Sequence, residues 1–176
     1  MINMLHYIYS RSFVSVITFM ALALAAWGAL PARAGARRWR CGNLVLVLLI
    51  TAAILYATLF SRAEGGTGLI LAPFASLTAA RQQPELYREM LMNVFLFFPL
   101  GLTLSNALPR KWHRRLRIIL TTLVGCAISA GIEYAQYRYA LGMAEADDVI
   151  CNTLGAFLGA ASLLAAHAIE KHKERA

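Results

Sequence analysis

Between Glu133 and Asn152 the chain gathers Glu133, Gln136, Glu145, Asp147, Asp148 and Asn152, flanked on both sides by runs apolar enough to lie in a membrane. Neighbouring carboxylates such as Glu133 and Asp148 can work as an acid/base pair when burial raises one pKa. With Asn152 they could instead hold a divalent ion. A carboxylate beside amides can also grip sugar hydroxyls or a peptide amine without any reaction. The chain has no GxSxG, no HExxH and no His within the cluster, so a binding role is expected ahead of catalysis. No cofactor and no metal is expected. The plain structural alternative is that amides and carboxylates join helices by hydrogen bonds. In that reading Asp147 and Asp148 cap the helix that follows them, where acids suit the N-terminus.

Helical spacing sorts these groups onto faces. Glu133, Gln136 and Tyr137 are related by i+3 and i+4, and so are Asp148, Asn152, Gly155 or Ala156, and Gly159. Ionisable groups at membrane depth are costly unless they face a bundle interior, a partner or water. The expected ligand-facing set is therefore Glu133, Gln136, Asn93, Asp148 and Asn152, with Arg62 or Arg138 as the cation that neutralises Glu133. GAFLG (155–159) fits the GxxxG pattern of close helix contact. Gly155, Gly159, Gly101 and Pro99 are assigned to packing, with Pro99 able to kink its helix. Tyr134, Tyr137 and Tyr139 are expected in an interfacial aromatic belt.

The elements that position these residues follow from composition. Of 176 residues 59% are hydrophobic and 15% charged, a balance that suits one polytopic membrane domain, 1–176, rather than a soluble one. The net charge of +8 falls in short loops between apolar runs, which fits a membrane surface and excludes nucleic acid. Cys41, Cys126 and Cys151 form no CxxC or Cys/His motif and read as small packing residues. Five runs are long enough to cross, near 12–30, 43–60, 90–108, 117–138 and 148–169. The fold class expected is an all-α polytopic membrane helical bundle of about five transmembrane helices. No ten-residue alternation suggests a barrel, so strands are not expected.

Counting Lys and Arg in alternate loops gives twelve against five. The positive-inside rule then places the N-terminus outside and the C-terminus in the cytoplasm of the inner (cytoplasmic) membrane. The first run exceeds the usual core of about 7–15 residues of a signal peptide, and Arg33, Arg37, Arg38 and Arg40 behind it resist export; it is read as a retained helix. In the second loop GGTG (65–68) is a flexible turn. LILAPF (69–74) is too short to cross and is expected as an interfacial or re-entrant segment. TAARQQPELYREM (78–90) reads as a short polar helix with Pro84 near its start. This topology brings the polar groups of several spans to one level of the outer leaflet.

LYATLFSR (55–62), LAPF (71–74), NVFLFFPLG (93–101), IEYAQ (132–136) and DVICNTLGAFLG (148–159) resemble, in order, the successive motifs of the VanZ-like family, over about residues 43–170. Carried onto this chain, the family pattern falls on Asn93, Pro99, Gly101, Glu133, Gln136, Asp148, Asn152 and Gly155. Family members often carry an Arg shortly before the acidic run; Gly142 and Met143 stand there in this chain, leaving Arg138 as the substitute. The resemblance implies a small integral membrane protein, whose family namesake is linked to resistance to teicoplanin, a lipid-tailed glycopeptide acting outside the cell. The expected partners are membrane lipid and a lipid-linked envelope intermediate or a glycopeptide, bound at an outward-facing polar cleft. The alternatives are a membrane-embedded enzyme using Glu133 and Asp148, and a helical scaffold or subunit of an envelope complex.

Overall fold

The computed structural model describes residues 36–60, 68–80, 83 and 85–173. The span expected at 12–30 and the cation Arg62 lie outside the described residues. Within them the order is α1 (Ala36–Leu55) with a π-helical end (Tyr56–Phe60), β1 (Gly68–Ile70), α2 (Ala75–Ala79), α3 (Glu85–Ala107), α4 (Arg114–Arg138), β2 (Met143–Glu145) and α5 (Ala146–Lys173). Four stretches are long and apolar enough to cross a membrane: Arg37–Leu59, Leu86–Ala107, Arg114–Arg138 and Ala146–Leu164. They match the expected spans, with the helices beginning earlier than the apolar runs. Arg is a good helix former, so a cluster such as Arg37, Arg38 and Arg40 extends α1 rather than ending it.

In lipid, helices gain little from hiding apolar surface from one another, so close backbone packing decides their association. α3 and α5 run side by side, and glycine makes their approach possible. A Cβ on Gly155 would overlap the carbonyl of Val94, one on Gly159 the carbonyl of Phe98, and one on Gly101 the carbonyl of Ala156. α4 joins on the other side of α5, where a Cβ on Gly125 would meet the Ala156 methyl at 2.5 Å. Phe97, Leu100, Ile54, Ile132 and Ala156 form the buried apolar cluster between the helices. Pro99 is enclosed within α3. It lacks the N–H that would bond the carbonyl of Phe95, and Thr103 Oγ1 donates to the Pro99 carbonyl at 2.8 Å. α1 packs on α3 and is the least enclosed helix, with Leu48 71% exposed.

One end of the bundle corrects the expectation that strands are absent. β1 and β2 pair in parallel, Gly68 with Met143, Leu69 with Ala144 and Ile70 with Glu145. Three-residue strands are too short to show an alternation, and a parallel pair needs a long crossover, here supplied by α3 and α4. The LILAPF run therefore splits into a strand, a turn and the short α2. Leu69, Leu71, Phe74 and Leu77 of this segment are exposed. Of the polar helix expected over 78–90, Thr78 and Ala79 close α2 and 85–90 open α3; 81, 82 and 84 lie outside the described residues, and the Gln83 N–H donates to the Ala79 carbonyl at 3.0 Å.

Candidate functional site

The beginning of α5 is where these segments are tied together. Asp147, 3% exposed, accepts from the Phe74 N–H on Oδ1 at 2.5 Å and from the Ser76 N–H on Oδ2 at 2.7 Å. Its hydrogen bonds thus go to the 74–76 turn, not to the start of α5, where capping was expected. The N–H groups at the start of a helix have no partner inside it, and a carboxylate on them makes a charge-assisted bond. The turn needs this support. Phe74 has φ 63°, left-handed geometry uncommon for a residue with a side chain. Ser76 Oγ also donates to Glu145 Oε2 at 2.8 Å. From the other side Glu133 Oε2 of α4 accepts from the Glu145 N–H at 2.9 Å.

The expected site residues divide into two groups. Asn93 Nδ2 of α3 donates to Asp148 Oδ1 of α5 at 2.7 Å, and both line a cleft of about 480 Å³. Glu133, Gln136 and Asn152 are buried within the bundle and are not among its lining residues. Asn152 Nδ2 donates to Ser129 Oγ at 2.9 Å, joining α5 to α4. Gln136 Nε2 donates to the Thr58 carbonyl at 3.0 Å, joining α4 to the π-helical end of α1. Tyr137 parts from this face and is exposed, as are Tyr134 and Tyr139. On a helix Gln136 and Tyr137 lie about 100° apart, so only the first follows Glu133 inward. The Arg138 guanidinium lies over the Tyr139 ring, 5.9 Å from its centre.

The cleft has two kinds of wall. Ser76, Arg88, Glu89, Asn93, Glu145 and Asp148 supply charge and hydrogen-bonding groups, and Leu86, Met90, Met92 and Met143 supply an apolar lining. Methionine is flexible and polarizable and adapts to varied apolar ligands. Ser76, Arg88 and the three methionines were not singled out from the sequence. Their signal lay in the position of β2 and of the first turn of α3, which only the parallel strand pairing brings together. Among the described residues no three His, Cys, Asp or Glu side chains gather as a metal-ligand set. Glu133 accepts from a backbone N–H and Asp148 from the Asn93 amide.

Comparison with known proteins gives two matches. The model of the VanZ/LLP1 family matches residues 13–167. Protein VanZ of Enterococcus faecium is 35% identical over 74 residues, which make up 42% of this chain and 42% of that protein. The match thus spans less than half the length of that curated relative. No solved structure matches the chain.

Proposed function

The chain belongs to the VanZ/LLP1 family, and from that premise we propose that it binds an amphiphilic or lipid-linked cell-envelope molecule at the cleft between α2, α3 and β2. The observation that carries this reading is the meeting, in one cleft, of a methionine-rich apolar wall with Asn93, Asp148, Glu145 and Arg88. A lipid tail suits the first wall and a sugar or peptide headgroup the second. In this reading Asn93 and Asp148 touch the ligand. Glu133, Gln136 and Asn152 hold the wall in place from behind. The reading places the chain in the cytoplasmic membrane with the cleft facing outward and the C-terminus inside, as twelve against five basic residues favour. Influence on susceptibility to glycopeptides such as teicoplanin follows if the ligand is an envelope intermediate or the antibiotic itself.

The test is to purify the full chain in native lipid and identify retained molecules by mass spectrometry. A lipid-tailed envelope species should co-purify, and Asp148→Asn should lose it at unchanged membrane levels. Recovery of bulk phospholipid alone, identical in wild type and Asp148→Asn, would sink the proposal. In cells expressing matched amounts, the same substitution should abolish any change in glycopeptide susceptibility.

A further inference from the structure

At the end opposite the cleft, the C-terminus of α3 is gripped from both sides. Arg40 Nε of α1 donates to the Ala107 carbonyl at 3.1 Å. Arg117 of α4 is buried and donates through Nε, at 3.0 Å, and Nη2 to the Ser105 carbonyl. These bonds carry two stretches of basic sequence to one place. Arg37 and Arg38 come from α1, and Arg110, Lys111, Arg114 and Arg115 come from the α3–α4 turn and the first turn of α4. All six are exposed, and none of their side chains makes a hydrogen bond or ion pair among the described residues. No Asp or Glu occurs anywhere in 36–60 or 90–132. Arg110 and Arg114 act on Arg117 with like charge. α4 also begins here, adding the partial positive charge of its N-terminus.

We infer that this end is a binding site for the headgroup of an anionic phospholipid, seated between Arg37 and Arg38 of α1 and the first turn of α4. Directly along both helices from the cations lie exposed apolar side chains: Leu44 and Leu48 on α1, and Leu116, Ile119 and Leu123 on α4. Trp112, partly exposed, lies among the cations, as amphipathic rings do at headgroup level. A soluble polyanion would satisfy the cations and leave these faces bare. A phospholipid satisfies both, with its phosphate among the arginines and its chains along the leucines. Basic clusters next to membrane helices attract anionic lipid with a gain of about fivefold in affinity per Lys or Arg. The site is separate from the cleft and stands whether or not the cleft binds an envelope molecule.

The experiment uses the full chain in neutral detergent, with phosphatidylglycerol and phosphatidylcholine of matched acyl chains as probes and native mass spectrometry as the readout. Phosphatidylglycerol should be retained at least about fivefold over phosphatidylcholine, and the preference should shrink as salt is raised. Arg114→Gln with Arg115→Gln leaves the remaining basic residues to hold the topology and should remove most of the preference. If that pair is not recovered folded, Lys111→Gln alone should reduce it measurably. Inorganic phosphate at millimolar concentration should not displace the lipid. Equal retention of the two lipids, a preference unchanged by the substitutions and by salt, or displacement by phosphate alone would each overturn the inference.

Discussion

The two ends of the bundle solve one problem with opposite charges. At the cleft end, carboxylates hold backbone N–H groups: Asp147 takes those of Phe74 and Ser76, and Glu133 takes that of Glu145. At the other end, guanidinium groups hold backbone carbonyls: Arg40 takes that of Ala107 and Arg117 that of Ser105. The ends of elements leave such groups without partners, and a membrane core offers no water to satisfy them. The difference lies in what is held. The carboxylates fasten a short segment whose other support is the three-residue β1–β2 pairing and brief packing of α2, whereas the arginines fasten the end of a helix already locked along its length by glycine contacts. Loss of an anchor should therefore act locally at the first end and be absorbed at the second.

The change that should break both ends at once is Gly159→Leu. Its side chain would meet the Phe98 carbonyl and the Leu102 amide, forcing α3 from α5. A cost above about 3 kcal/mol is expected, read as loss of folded protein in detergent. Asp147→Ala should come next, at about 3 kcal/mol for two charge-assisted bonds, with protease cutting within 68–80 while the helical core stays resistant. Arg117→Gln should cost about 2 kcal/mol. It should lower the unfolding temperature without opening 68–80, so equal nicking in the two variants would erase the contrast between the ends. Glu133→Gln keeps an acceptor for the Glu145 N–H and should cost less than about 1 kcal/mol. Unfolding temperatures measured side by side, at matched detergent, would rank all four.

The spans at the centre were legible because length and hydropathy suffice to mark a membrane helix, and a GxxxG pair marks a close contact without naming the partner. Gly155 and Gly159 could be assigned to packing, but not to Val94 and Phe98. The site was less legible. Asp147 sits beside a helix start, so local reasoning gives it to that helix, yet its hydrogen-bond partners lie 73 and 71 residues away in the chain. Glu133 and Gln136 were placed on one face correctly by spacing, and Tyr137 was not, because a hydrophobic stretch gives no polarity contrast to show where the face ends. The methionines of the cleft resemble any other lipid-compatible residue until β2 is set beside α3. What sequence periodicity records is the direction each residue takes from its own helix. What made the cleft is pairing between elements distant in the chain.

The parallel pairing of β1 with β2 also has a consequence in time. Residues 68–80 leave the ribosome long before Met143–Glu145 and Asp147 exist to receive them, and pairings between distant segments form late. Until α5 has begun to be made, Leu69, Leu71, Phe74 and Leu77 have neither strand nor carboxylate to settle against. Incomplete chains expose surface of this kind to aggregation and proteolysis. A nascent chain halted after Arg138 should present 68–80 to protease. One extended through α5 should close it, so that protection of this segment marks the moment at which α5 arrives.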